Sequence, residues 1–214
     1  HDRLQIRAAR GEMPQQRLGF SGRLFQRWRR VHIFRGLNRV YIPRKTGDDL
    51  HRLVSRASNS THLIPIGLNY PYAKMPAVAA AQRLSTFGAA NGLGDKNEFY
   101  LNVGGGQWYK NRPGLLRIFA ELRRQQTPAP LLVMIGKPLS TADAVAAAEL
   151  NVAAHIRHFS NVSNEDLAAF YSLARGLIFP SWEEGFGWPI AEAQACGCPV
   201  FTSNRAPMTE VGGP

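Results

Sequence analysis

Cysteine is nearly absent: 214 residues hold two, Cys196 and Cys198, with a single glycine between them. That spacing is poor for a disulfide, and no further cysteine or nearby histidine completes a metal site. Both read as small buried residues of a reducing compartment. Long hydrophobic runs are also missing. No stretch reaches the ~18 apolar residues of a membrane span, so none is predicted. Acidic residues are scarce, with 15 Asp and Glu against 26 Lys and Arg and a formal net charge of +11. The chain opens at His1 and not at methionine, so its start says nothing about secretion.

The shortage of acid is local. Residues 1–60 carry 14 of the 26 basic residues but 4 of the 15 acidic ones. Arg23, Arg27, Arg29, Arg30, Arg35 and Arg39 recur through a segment that also contains Phe25, Trp28 and Phe34. A basic amphipathic helix over 21–37 suits an anionic membrane surface or another polyanion, through residues 20–40. A solvated face is the plainer alternative. No recognised nucleic-acid motif accompanies the charge, so nucleic acid is not an expected partner.

The pattern along the chain is α/β. Short strands are predicted at 39–42 and 62–65, with a helix over 46–55 between them. Residues 73–97 show little periodicity beyond a helical stretch at 77–85, and a domain boundary is placed there. Beyond it, strands at 99–103, 131–135, 155–159, 177–179 and 200–202 alternate with helices at 113–124, 141–150, 164–174 and around Ile190. Ser163 suits the cap of the third of these helices, with Asp166 three residues on. Such alternation implies a parallel sheet covered on both faces. Ligands of such sheets bind at the carboxyl ends of the strands.

The richest chemistry lies in Pro180-Ser181-Trp182-Glu183-Glu184-Gly185-Phe186-Gly187-Trp188-Pro189-Ile190-Ala191-Glu192. Pro189 suits a first helical position, and Gly197 suits the residue past the helix end. Glu184 then falls in a strand-to-helix loop and Glu192 in about the first helical turn. Gly185 and Gly187 let backbone amides approach a ligand closely. The helix start adds unpaired donors and partial positive charge, which favour phosphate. Two carboxylates beside it are suited to accept hydrogen bonds from hydroxyls, as on a sugar and a ribose. A sugar nucleotide has all three parts. An ordinary α/β loop with solvated glutamates remains the alternative.

A second loop, Gly104-Gly105-Gly106-Gln107-Trp108-Tyr109-Lys110-Asn111-Arg112, follows a predicted strand. It is neither a P-loop nor a dinucleotide fingerprint. Its glycines and Lys110 could hold a diphosphate; a flexible turn with a solvated lysine is the alternative. His155 and His158 are three apart, which on a strand puts them on opposite faces and argues against a shared metal. Trp108, Trp182 and Trp188 suit either half-buried packing or a cleft lining.

The E-x7-E arrangement of Glu184 and Glu192 within Glu-Gly-Phe-Gly-x-Pro-Ile-x-Glu-Ala resembles the signature of retaining glycosyltransferases of family 4. Ala195-Cys196-Gly197-Cys198-Pro199-Val200 and Thr209-Glu210-Val211-Gly212-Gly213 resemble it too. The resemblance is weak over 1–72 and strong from about Tyr100 onward. It implies a GT-B fold of two Rossmann-like parallel-sheet domains, both incomplete here: a partial acceptor-side domain with linker over 1–90 and a partial donor-binding domain over 91–214. It implies transfer of a sugar from a nucleotide diphosphate sugar to a sugar, glycan or lipid-linked hydroxyl, with no metal and no other cofactor. A cytoplasmic site, at or near the inner membrane face, fits that chemistry.

Residue roles follow from the same resemblance. Lys110 matches the lysine that contacts the donor diphosphate. The arginine found five positions earlier in many members falls on Gly105, with Arg112 as a candidate substitute. Glu184 would hold sugar hydroxyls, Glu192 the ribose, and Gly185, Phe186 and Gly187 would line the donor site. His1-Asp2 resembles a His-Asp pair whose histidine faces the sugar, so His1 joins Lys110 and Glu184 as a candidate catalytic residue. The segment around Phe159 and Ser160 would lie near the nucleobase. Gly67 and Asn69 resemble a domain-closing turn with positive φ at the glycine. A non-catalytic sugar-nucleotide or polyanion-binding protein is the alternative function.

Overall fold

The computed structural model describes residues 39–41, 44–53, 61–64, 66–91 and 98–213. His1, the expected helix over 21–37 and nearly all of the basic segment 20–40 lie outside the described residues.

A five-stranded parallel sheet carries the architecture. Its strands are β3 (Phe99–Gly104), β4 (Leu131–Gly136), β5 (Ile156–Phe159), β6 (Gly176–Phe179) and β7 (Val200–Thr202), in spatial order β5-β4-β3-β6-β7. Alternation along each strand sends side chains to two separate cores. Tyr100, Leu132, Met134 and Ile178 face one side and pack under α3 (Arg112–Gln125) and α4 (Thr141–Glu149), against Leu115, Leu116, Phe119 and Ala147. Phe99, Leu101, Val133, Ile135, Leu177 and Phe179 face the other. There they meet α5 (Asn164–Leu173), α6 (Trp188–Ala195) and α2 (Ala77–Asn91). Near-continuous apolar runs such as Leu132–Ile135 are what a sheet buried on both faces requires.

The expected elements from residue 99 onward form, with boundaries moved by a residue or two. Ser163 caps α5 as expected: its Oγ accepts from the Asp166 amide at 3.1 Å. Four differences have local causes. His155 ends a 3-10 turn, so β5 begins one residue later. Trp188 is the first residue of α6, because Gly187 at φ 96° supplies the left-handed turn before it. Pro189 is then second and Glu192 lies in the second turn. A short helix, α7 (Met208–Gly212), forms where no periodicity announced it. Neither Gly67 nor Asn69 takes positive φ, so the expected positive-φ turn is not there.

Residues 66–91 are strapped across α5. The Tyr72 hydroxyl donates to Asn164 Oδ1 at 3.1 Å, and the Met75 amide to Ser172 Oγ at 3.0 Å. Arg83 Nε lies 2.6 Å from Asp166 Oδ1. Ahead of this strap, β1 (Arg39–Tyr41) and β2 (Thr61–Leu63) pair in parallel around α1 (Arg44–Leu53). The two carboxylate oxygens of Glu210 in α7 accept the Arg44 and Lys45 amides at 2.8 and 3.1 Å. An acid at a helix start satisfies donors that have no partner inside the helix.

Phe170 anchors the strap-side core. It is fully buried, with ring centroids 5.4 Å from Phe159, 5.6 Å from Phe87 and 6.1 Å from Phe99. Truncation leaves a cavity that sheet and helices cannot close. Phe170→Ala is expected to lower unfolding free energy by about 3–5 kcal/mol. Urea unfolding followed by circular dichroism checks this: the midpoint should fall while the slope is kept.

Candidate functional site

The site follows from strand order. The chain leaves β3 toward β4 on one side, and returns to β3's other side as β6. Connections from β3 and β6 therefore diverge, opening a crevice at their carboxyl ends, where ligands of such sheets bind. The two glycine-containing loops sit there. At the end of β3 the chain approaches β4 closely: a Cβ on Gly136 would lie 2.3 Å from the Gly104 carbonyl oxygen.

Two hydrogen bonds join the loops. The Trp182 amide donates to the Tyr109 carbonyl at 2.8 Å, and Asn111 Nδ2 to the Pro180 carbonyl at 3.0 Å. Asn111 takes a left-handed conformation, φ 53°, and its Oδ1 accepts from the Gly114 amide at 3.2 Å, capping α3. Asparagine tolerates this conformation and is a favoured cap. One side chain thus starts the helix and ties both loops.

This framework brings Lys110 and Glu184 together. Lys110 Nζ lies 2.8 Å from Glu184 Oε1, with the two side chains only 16% and 8% exposed. The ammonium also sits 5.0 Å from the Phe179 ring centroid and 5.6 Å from that of Tyr109. Gly187 starts α6 beside the same loop, with Gly185 and Phe186 between it and Glu184. Gly105 lies in the β3 loop, where a Cβ would meet the flexible end of Gln107 at 2.3 Å.

Glu192 is held elsewhere. It is buried, and its Oε2 accepts from the Tyr171 hydroxyl at 2.9 Å. Burial pushes its carboxyl up from the ordinary 4.5, while the Tyr171 bond pulls the other way. Burial and the Glu192 charge raise Tyr171 well above its usual range. Burial also pushes the thiols of Cys196 and Cys198 up to about 11. Both cysteines are free and buried, as expected.

Arg112 is not a stand-in for the missing arginine. Its buried guanidinium donates from Nη1 to the Pro138 carbonyl at 2.6 Å and from Nη2 to the Lys137 carbonyl, with Asp143 3.7 Å away. It pins the β4–α4 loop instead. His158 Nε2 lies 2.8 Å from the Gly136 carbonyl. Trp108 is exposed and 6.2 Å from Trp182, and Trp188 stands 5.0 Å from Phe186. The sequence reading missed Tyr171 and Asn111. Asn111 carried a signal, a capping residue two positions before Pro113. Tyr171 did not, since it meets Glu192 only through packing of α5 on α6.

Comparisons with known proteins give the fold and the family. The fold is that of GT-B glycosyltransferases. The structure of WaaG, a glycosyltransferase involved in lipopolysaccharide biosynthesis, matches 86% of this chain over 50% of its own, with TM-score 0.70 and 20% identity. HepE of Anabaena, solved in complex with UDP and glucose, matches 80% of this chain over 45% of its own, with TM-score 0.65 and 17% identity. Residues 86–213 match the family Glycosyl transferases group 1, and the chain belongs to it. O-antigen chain mannosyltransferase B of Escherichia coli is 48% identical over 58 residues, 27% of this chain and 15% of that protein. D-inositol 3-phosphate glycosyltransferase of Jonesia denitrificans is 30% identical over 172 residues, 77% of this chain and 40% of that protein. The chain therefore spans well under half the length of these two curated relatives.

The raised Glu192 pKa has a pH signature. A carboxyl whose folded pKa exceeds its unfolded value binds its proton more tightly in the native state. It favours folding at low pH and costs stability as pH climbs from the ordinary value through the raised one. Glu192→Gln removes that dependence and keeps an acceptor for Tyr171. As pH rises above the ordinary 4.5, the variant should gain stability relative to wild type. Urea unfolding of both proteins across that range checks this; a constant difference would mean the carboxyl is unshifted.

Proposed function

We propose that this chain forms the donor side of a glycosyltransferase that moves a sugar from a nucleotide diphosphate sugar to a hydroxyl of a sugar, glycan or lipid-linked acceptor. Polysaccharide, glycolipid or cell-envelope glycan synthesis is the setting this reading favours. The observation that carries it is the Lys110–Glu184 pair at the crevice between β3 and β6, beside the glycine-started helix α6. Lys110 would contact the departing diphosphate, with the Gly185 and Gly187 amides and the helix start. Preorganised charge of this kind is often the largest catalytic contribution. Glu184 would accept hydroxyls of the transferred sugar, and Glu192 those of the ribose. The relatives, a mannosyltransferase and a glycosyltransferase, support sugar transfer as the reaction class.

The E-x7-E spacing supports the finer reading: a retaining, hexosyl-type enzyme of family 4 that needs no metal. His1 would face the sugar from a first domain over 1–90, across a cleft from a donor domain over 91–214. Calorimetry with UDP, GDP and ADP tests the donor site. One base should bind saturably, and Lys110→Ala and Glu192→Ala should each weaken it by about tenfold or more, the scale of a lost charge-assisted contact. A folded chain that binds none of the three would sink the reading. Transfer lost in Glu184→Gln, with donor still bound, would separate an enzyme from a passive sugar-nucleotide binder.

The charge skew favours one further contact. Residues 20–40 would rest on an anionic membrane, placing the protein at the inner face where lipid-linked acceptors lie. Vesicles containing phosphatidylserine should bind the chain in low salt and release it as salt rises. Arg27→Ala/Arg29→Ala/Arg30→Ala should weaken binding about a hundredfold, each basic residue being worth about 1 kcal/mol near such a surface. Equal binding to neutral vesicles would contradict this.

A further inference from the structure

Lys110 and Glu184 occupy each other. The 2.8 Å contact joins the two groups that, on the donor-site reading, belong to different parts of the ligand. On that reading Lys110 serves the diphosphate and Glu184 the sugar hydroxyls, and while the pair is closed each charge is neutralised by the other and not by the ligand. Nor can the loops relax apart, because the Trp182–Tyr109 and Asn111–Pro180 bonds hold their backbones together. Opening must be a side-chain movement.

The cost of opening depends on what replaces each partner. Both side chains are largely withdrawn from water. Removing one member of such a pair leaves the other charge uncompensated, which costs far more than breaking a surface ion pair. An intact sugar nucleotide replaces both partners: diphosphate for the lysine, hydroxyl donors for the carboxylate. A nucleoside diphosphate replaces only one. It leaves Glu184 without a cation and brings further negative charge close to it.

Resting on that donor-site reading, we infer that Glu184 is a specificity-determining residue that selects the intact sugar nucleotide over the spent nucleoside diphosphate. The carboxylate competes with the diphosphate for Lys110 unless a sugar is there to engage it. Once the sugar has been transferred, the ion pair re-forms and drives the diphosphate out. The same residue therefore favours donor capture and product release.

Calorimetric dissociation constants test this for UDP and UDP-glucose, GDP and GDP-mannose, and ADP and ADP-glucose, on the 214-residue chain. Wild type is compared with Glu184→Gln, which removes the competing charge, and Glu184→Asp, which keeps it but draws it back from Lys110. Thermal melts confirm folding, and Glu184→Asp carries the test if Glu184→Gln does not fold. The nucleoside diphosphate should bind Glu184→Gln about tenfold tighter than wild type, the scale of one charge-assisted contact. Its sugar nucleotide should bind no tighter. Glu184→Asp should move the ratio the same way by less. If both ligands change by the same factor, or the diphosphate weakens, the inference is overturned while the donor site stands. If wild type binds none of the six, the donor-site reading falls and this inference with it.

Discussion

The candidate donor site depends on the pairing of β3 with β6. Only two residue pairs define it, Tyr100 with Gly176 and Leu101 with Leu177. Yet strands far apart in sequence become neighbours there, and the helices that follow them, α3 and α6, pack on opposite faces of the sheet. Pairing of β3 with β4 is longer and closer in sequence, and alone would give a sheet without a crevice. Packing secures the shorter contact. Leu177, Ile178 and Phe179 are buried, and they fill both cores at once. The apolar character of β6 thus locates the crevice before any polar residue is considered.

Four charged side chains, Arg112, Glu192, Lys110 and Glu184, are withdrawn from water here, and they are compensated in three ways. Arg112 turns Nη1 and Nη2 to backbone carbonyls and serves architecture. Glu192 takes one hydroxyl bond, and burial favours its neutral form. Lys110 and Glu184 neutralise each other. A charge bonded to backbone cannot leave without unfolding a loop, whereas a charge bonded to another mobile side chain can be exchanged for a ligand. That difference separates Arg112, which resembles a site residue by position, from Lys110.

Fold class was legible in the sequence because period and punctuation agree. Runs such as Leu131–Ile135, bounded by Pro130 and Gly136, leave little choice, and Ser163 with Asp166 announces a helix start. Glu184 and Lys110 were legible one by one, through loop composition and the family signature. Their contact was not, since 74 residues separate them and only strand order joins them. Arg112 misled for the same reason. Its place in the glycine loop suggested an anion, whereas the partners that claim it, Pro138 and Lys137, belong to the next strand-to-helix loop. Positive φ at Gly67 failed because glycine permits that conformation without requiring it. The short helix α7 follows a cis Ala206-Pro207 bond and has too few residues for a readable period.

Rigid backbone and exchangeable side chains make a consistent pair of properties here. A site that stabilises developing charge must not reorganise during the reaction, which argues for loops locked to each other. A site that also releases an anionic product must have somewhere for its cation to go. Trp182–Tyr109 and Asn111–Pro180 meet the first demand with bonds that no ligand needs to break. On the donor-site reading, Glu184 would meet the second from within the same loop, within reach of Lys110. The hydrogen bonds that fix the loops therefore also hold the carboxylate within reach of Lys110, and a change that loosened either bond would weaken both properties together.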